Sequence, residues 1–132
     1  MQDRPDAADL LEAVGDFLKK DILPAVRNDD LLSYKTLVSW NMLGILAREV
    51  KVGGRSLAVD INELAALLNR TPPEPSLDYP GAVEQARKMK EELSTEIRKN
   101  KAGSPDSPYW QYARESLKRK LEISNPRFSL QD

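Results

Sequence analysis

The chain of 132 residues contains no cysteine and no histidine. The lack of cysteine excludes disulfides, thiolate metal ligands and cysteine nucleophiles. The lack of histidine removes the usual general base near neutral pH and the commonest metal ligand, so Ser-His-Asp triads and histidine zinc or iron sites are excluded. Acid–base work by Lys, Tyr or carboxylates and a carboxylate-only Mg²⁺ or Ca²⁺ site stay open. These absences favour a non-enzymatic protein, and we predict no catalytic residue, no metal site and no cofactor.

Long apolar runs are absent too. No stretch of the sequence approaches the roughly 18 apolar residues that a membrane-spanning helix needs. The start, residues 1–5, is polar and of mixed charge and does not resemble a signal peptide. We therefore expect a cytoplasmic protein with no membrane partner, and the length predicts a single domain over residues 1–132.

Charge is unevenly distributed along the chain. Residues 1–80 carry 9 basic and 13 acidic side chains, whereas residues 81–128 carry 11 and 7. The basic stretch Lys118–Lys120 could contact nucleic acid, but Glu115 and Glu122 interrupt it and the sequence pI is about 5.6. We interpret the asymmetry as a solvated surface and rank nucleic-acid binding last.

Apolar residues recur with the 3.6-residue period of amphipathic helices. Asp6 and Asp9 form a capping box for the first helix, which Pro24 ends or bends. The second helix spans residues 31–52, is apolar on most sides as a central helix would be, and is stopped by Gly53-Gly54. A third helix begins at a second capping box, Asp60–Glu63, after a stretch at residues 55–59 that could be extended.

The C-terminal half predicts two more helices. The proline-rich loop 71–76 precedes a helix over residues 81–100, and a fifth helix follows the Asp106-Ser107-Pro108 cap. An apolar stripe on that fifth helix contains Trp110, Ala113, Leu117 and Leu121. The predicted fold is an all-α bundle of four to five helices with a long central second helix. A homodimer through an exposed apolar face of helix four or five is also plausible.

Asn41 lies midway along the central helix among apolar neighbours, so we expect it to be buried or partly buried and hydrogen-bonded. The simplest interpretation is a structural bond to another segment. The alternative is a small-ligand pocket or an unconventional enzyme site, in which arginine could clamp a phosphate or carboxylate. Its candidate ligand-binding residues are Asp3, Arg4, Asn41, Arg48, Glu49 and Arg127.

Several segments together resemble an uncharacterised bacterial family, a domain of unknown function. They are the Met-Gln-Asp-Arg-Pro start with its Leu-Leu-x-x-Val-x-x-Phe-Leu pattern, the segment Val38–Leu43 followed by Arg48-Glu49, and an Asn-Pro-Arg-aromatic end at residues 125–128. Members of this family are often encoded beside aminoglycoside-phosphotransferase-like kinases and acyl-CoA dehydrogenases. The resemblance therefore implies an accessory or protein-interaction role with one of these enzymes as partner.

Overall fold

The computed structural model describes residues 4–76, 78–100 and 107–128, and within these ranges every regular element is helical. The predicted all-α fold class with a long second helix is confirmed. The elements are α1 (Ala7–Phe17), a π-helical segment (Leu18–Ile22), the short α2 (Leu23–Ala25), α3 (Asp30–Leu67), α4 (Tyr79–Asn100) and α5 (Pro108–Ser124). None of the helices in the described ranges is long and apolar enough to cross a membrane.

The long helix α3 is where the sequence-based prediction was wrong. Gly53-Gly54 does not stop the helix, residues 55–59 are not extended, and the second and third predicted helices form one helix of 38 residues. A helix-ending glycine adopts a positive φ, and the described glycines have none. A glycine inside a helix costs about 1 kcal/mol relative to alanine, an amount that the packing of Ile61 and Leu64 in the same helix offsets.

The start of the chain follows its predicted capping box. The Asp9 amide donates to Asp6 Oδ1 at 2.9 Å, and the Asp6 amide donates to Asp9 Oδ2 at 3.1 Å. Pro24 does not end the helical run, which continues to Ala25. The preceding segment is π-helical, and the amide of Leu23 donates to the carbonyl of Leu18. This wider turn changes the hydrogen-bond register just before the proline, which has no amide hydrogen to donate.

Two compact units divide the chain, Met1–Gly53 and Gly54–Asp132. In the N-terminal unit, α1 packs along the first part of α3. The buried residues described in this unit are all small, and they are Ala8, Gly15, Ala47 and Gly53. Trp40 and Leu43 are partly buried at the contact with α1, whereas many other large apolar side chains of the two helices are exposed.

The C-terminal unit has a core of large side chains. It lies between the end of α3 and α4 and consists of Ile61, Leu64, Ala65, Ala86, Met89 and Leu93. Tyr109 and Tyr112 of α5 pack against this core. The predicted stripe of α5 is wrong, because Trp110 and Leu117 are about half exposed. Tyr109 and Tyr112, each one position before a residue of the predicted stripe, pack against the core instead.

The predicted boundaries of the last two helices are confirmed to within two residues. Asp78 caps α4, since its Oδ1 accepts a hydrogen bond from the Gly81 amide at 2.7 Å. Ser107 caps α5 by accepting from the Trp110 amide at 3.3 Å, and proline occupies the first helical position as expected. Residues 71–76 of the proline-rich loop have no regular structure, as predicted.

Candidate functional site

Asn41 is exposed, so the expectation that it is buried was wrong. It lines a shallow depression of about 120 Å³ between α1 and α3 together with Trp40 and Arg48. Asn41 and Arg48 are seven residues apart, which places them on the same side of a helix. The Arg48 guanidinium lies over Gly44, where an added Cβ would be 3.3 Å from its Nη1.

Acidic side chains also line this depression. Glu12 and Asp16 of α1 face it, and Glu12 forms an ion pair with Lys51. This ion pair raises the pKa of Lys51. Beside the depression, Lys19 Nζ lies 3.9 Å from the centroid of the Trp40 ring, within cation–π distance. These groups form a polar face of the N-terminal unit, on which Lys51 is paired with Glu12 and Lys19 lies against Trp40.

Of the other predicted ligand-binding residues, neither Arg4 nor Glu49 lines this depression. Arg4 is exposed ahead of α1. Glu49 follows Arg48 directly, so it is turned about 100° away around the helix. Arg127 belongs to the C-terminal unit, in the turn after α5, and Asp3 lies outside the described residues. Within the described residues, the structure therefore brings Asn41 and Arg48 together in one depression.

The opposite side of the N-terminal unit is apolar. Because Glu12 and Lys51 bond across one face, side chains on the other side of the α1–α3 contact share the opposite face. Leu10 and Val14 recur there along α1 with i, i+4 spacing, and Phe17, two residues after the contact position Gly15, continues the stripe toward the outer side of α1. We call this surface the hairpin face, and its members, all about half exposed, are Leu10, Val14, Phe17, Leu32, Leu46 and Val50.

A second apolar strip follows the side of α3 that points away from α1. Its residues are Leu31, Tyr34, Val38 and Met42, and we call it the α3 edge. Tyr34 is 66% exposed and Leu31 is 61% exposed. From residue 36 to residue 47, α3 contains no charged residue. Depletion of charge together with exposed aromatic and methionine side chains is typical of the central part of a protein–protein interface.

In the C-terminal unit, a carboxylate occupies a site that was predicted to be a helix cap. Asp60 is 4% exposed and lies inside α3. Tyr112 donates to its Oδ1 at 2.9 Å, Lys90 Nζ lies 3.1 Å from its Oδ2, and Arg119 Nη2 donates to Oδ1 at 3.2 Å. Burial by itself would raise the pKa of Asp60, but hydrogen bonds from Ser116, Lys90 and Tyr112 outweigh it and hold the pKa below its ordinary value of 3.8. The carboxylate therefore stays ionised and joins α3, α4 and α5.

The basic stretch of α5 is largely engaged within the same network. Arg119 donates to Glu63 Oε2 at 2.8 Å as well as to Asp60. Lys118 pairs with Glu115 at 3.6 Å. The neighbouring ammonium group of Lys90, together with burial, lowers the pKa of Lys120. Since Arg119 is bound by two carboxylates, the centre of this stretch is not available to a phosphate backbone.

The sequence analysis did not predict the hydrogen bonds and ion pairs around Asp60. Asp60–Glu63 has the pattern of a capping box, and Lys118–Lys120 has the pattern of a basic patch. The i, i+3, i+7 spacing of Tyr109, Tyr112 and Ser116 marks one side of a helix and could have indicated a polar packing face. It is recognisable only once a buried carboxylate is known to lie opposite.

The comparisons with known proteins point to one family. Its model, described as Domain of unknown function (DUF6285), matches residues 25–128. No curated protein and no solved structure matches the chain. The matched range contains α3, α4 and α5, including the segments 38–43 and 125–128 on which the resemblance partly depends, but not the Met-Gln-Asp-Arg-Pro start. Because the family model matches well over half of this chain, the chain belongs to the DUF6285 family.

Proposed function

We propose that this protein is a non-enzymatic accessory module that binds a kinase-like phosphotransferase or an acyl-CoA dehydrogenase. The observation that carries the proposal is the distribution of exposed apolar side chains. Among the described residues, eleven of seventeen exposed large apolar side chains belong to the first 53 residues. Contiguous exposed apolar surface of this kind is characteristic of protein–protein interaction sites.

The α3 edge is the surface proposed for this partner. Leu31, Tyr34, Val38 and Met42 lie on one side of a helix at intervals of three or four residues. Such anchors dock into an apolar groove of a partner when a helix is recognised through one face. Tyrosine and methionine are both enriched at interfaces, and tyrosine is a frequent hot-spot residue.

The test is co-purification with each of the two enzyme classes from the gene neighbourhood. We expect one of the purified enzymes to be captured at micromolar concentration, and Tyr34→Lys or Val38→Lys to weaken its binding by at least about tenfold. Val59→Lys, at an apolar position in the C-terminal unit that is about as exposed as Val38, is the matched control and should leave binding unchanged. Capture of neither enzyme, or equal binding by all three variants, would contradict the proposal.

A small-ligand function at the depression of Asn41 and Arg48 is the alternative. One observation favours it, namely that both predicted residues line the same depression. Two others weaken it. Ligand pockets usually measure about 300–1,000 Å³, whereas this depression is about 120 Å³, and the carboxylates of Glu12 and Asp16 oppose a phosphate or carboxylate there. Chemical-shift changes at the Asn41 and Arg48 amides upon titration with inorganic phosphate would favour this alternative over the interaction module.

A further inference from the structure

In the described part of the N-terminal unit, no large apolar side chain is fully buried between the two helices. Its described buried residues are alanines and glycines. Gly15 allows close approach, with an added Cβ lying 3.6 Å from Trp40 Cδ1 and 3.9 Å from Leu43 Cβ. Trp40 and Leu43 are partly buried at this contact, whereas most other large apolar side chains of the two helices are exposed. A helical pair of about 50 residues with so little buried apolar surface ordinarily requires association with another element.

We propose that the hairpin face binds a second copy of this chain, so that two α1–α3 pairs form a four-helix bundle. The proposal goes beyond the function proposed above, since it concerns a different partner and a different set of residues, with Met42 of the α3 edge adjoining Leu46 of the hairpin face. Its starting point is the set of six half-exposed side chains of the hairpin face, which lie opposite the polar face that contains Glu12 and Lys51.

The dimensions of the hairpin face fit a dimer interface. The helical run Ala7–Ala25 has 19 residues, which at 1.5 Å per residue gives about 28 Å, and two adjacent helices are about 20 Å wide. The projected area is therefore about 570 Å², and interdigitating side chains bury more surface than the projection. A standard interface buries about 800 Å² per partner. For two copies the projection totals about 1,100 Å², just under the roughly 1,200 Å² at which stable specific interfaces begin, and the surface added by interdigitating side chains brings it into that range.

The two helices of the pair are antiparallel. Glu12 pairs with Lys51 and Lys19 contacts Trp40, so residue numbers rise along α1 as they fall along α3. Leu10 is therefore at the level of Val50, and Val14 is at the level of Leu46. These levels matter because an isologous dimer must place the same surface against itself.

A two-fold axis parallel to the helices satisfies this requirement. It places α1 of each copy over α3 of the other at the same level, so that Leu10 meets Val50 and Val14 meets Leu46. Every helix then has antiparallel neighbours, as in an up-down four-helix bundle. The interface is apolar along this length, and the two-fold axis places the same set of residues on both sides of it.

In the same two-fold arrangement, opposite charges of the two copies meet at the end of the hairpin face that is nearer the connection between α1 and α3. Asp21 follows Phe17 by four residues on the α1 side, and Lys35 lies three residues after Leu32 on the α3 side. Both residues are toward the connection between the helices. In the proposed dimer, Asp21 of each copy lies near Lys35 of the second copy. A copy of this chain therefore meets opposite charge at both positions.

The experiment is sedimentation equilibrium of the full chain over a range of concentrations, with helicity checked by circular dichroism. We expect a dimer for the unaltered chain and a monomer for Val14→Lys and Leu46→Lys. Tyr34→Lys, on the α3 edge, is the matched control and should remain dimeric. A monomer at every concentration up to about 100 μM, or a dimer that Val14→Lys and Leu46→Lys leave intact, would overturn the proposal.

A charge exchange guards against variants that merely unfold. Asp21→Lys alone and Lys35→Asp alone should each raise the dimer dissociation constant by roughly fivefold, the range of exposed ion pairs. The double exchange should restore it. Absence of recovery in the double variant would contradict the proposed two-fold arrangement. Since neither readout involves another protein, failure of this proposal is distinguishable from failure of enzyme capture.

Discussion

Replacing Asp60 with asparagine tests how strongly the C-terminal unit depends on its buried carboxylate. The side chain is 4% exposed and is bound by Tyr112, Lys90 and Arg119. Removing one partner of a buried ion pair leaves the others uncompensated, so we expect Asp60→Asn to lower the free energy of unfolding by about 2–4 kcal/mol. Urea denaturation measures this. Glu91→Gln, which removes an exposed carboxylate paired with Arg87, is the control and should leave the midpoint unchanged.

The same residue predicts a dependence of stability on pH. The pKa of Asp60 is lowered in the folded protein relative to 3.8, so the folded state binds its proton less readily than the unfolded state. The resulting stabilisation is fully present above pH 3.8 and is lost as pH falls through the lower folded pKa. Denaturation midpoints measured from pH 6 downward should fall less steeply below about pH 4 for Asp60→Asn than for the unaltered chain. Parallel curves for the two proteins would show that Asp60 does not contribute.

At this scale, sequence reasoning identified residue types better than environments. The Asp6–Asp9 capping box was predicted and is confirmed, because both partners are three residues apart and the bonds are local. Asp60 was assigned to a similar cap and is instead buried. Its partners Lys90, Tyr112 and Arg119 are 30 or more residues away in the sequence. Periodicity within one segment contains no information about such contacts.

The continuity of α3 across Gly53-Gly54 can be tested by a substitution at the second glycine. Gly54 is exposed, an added Cβ would meet nothing within 4 Å, and its φ is not positive. Gly54→Ala should therefore raise the free energy of unfolding by about 0.5–1 kcal/mol, since alanine loses less backbone entropy in a helix. Thermal denaturation checks this. A decrease in stability would indicate a helix stop at this glycine pair.

Gly81 near the start of α4 provides the contrasting substitution. There an added Cβ would collide with the Ser76 side chain and would lie 2.8 Å from Asp78 Oδ1, the cap of the helix. We expect Gly81→Ala to lower the free energy of unfolding by about 1 kcal/mol, the value of a helix cap. Thermal denaturation of Gly81→Ala beside Gly54→Ala gives shifts of opposite sign. Equal shifts of the melting temperature would mean that helix propensity alone determines the effect of both substitutions.

The elements themselves were largely predictable, and the failures have a common cause. Helix boundaries marked by proline and a capping side chain, such as Ser107-Pro108, are confirmed. The boundary at Gly53-Gly54 was wrong because glycine permits a stop without requiring one. On α5, Trp110 and Leu117 were assigned to the packing face by hydrophobicity, yet the partner surface presents a carboxylate and selects the tyrosines. Contacts with other helices, which the local sequence does not show, determined both the continuity of α3 and the packing face of α5.

For the whole molecule, the two units differ in what stabilises them. The C-terminal unit has a core of six buried apolar residues and a charged network around Asp60. The N-terminal unit has small buried residues and two exposed apolar surfaces, the hairpin face and the α3 edge. The amphipathic pattern of each helix was readable from the sequence. The sequence did not show which apolar residues remain uncovered, because that depends on how many other helices of the chain pack against them.

This difference predicts unequal protection from hydrogen exchange. Local opening requires less free energy where few apolar contacts are buried, so amides of α1 should exchange faster than those of α4. If a second copy covers the hairpin face, dilution below the dimer dissociation constant should accelerate exchange in α1 through mass action. Exchange in α4 should not change, since its core residues Ala86, Met89 and Leu93 are buried within the C-terminal unit. Hydrogen exchange measured by mass spectrometry at two protein concentrations resolves these segments. Leu46→Lys should show the fast α1 pattern at both concentrations, and equal protection of α1 and α4 in the dilute unaltered chain would mean that α1 needs no second copy.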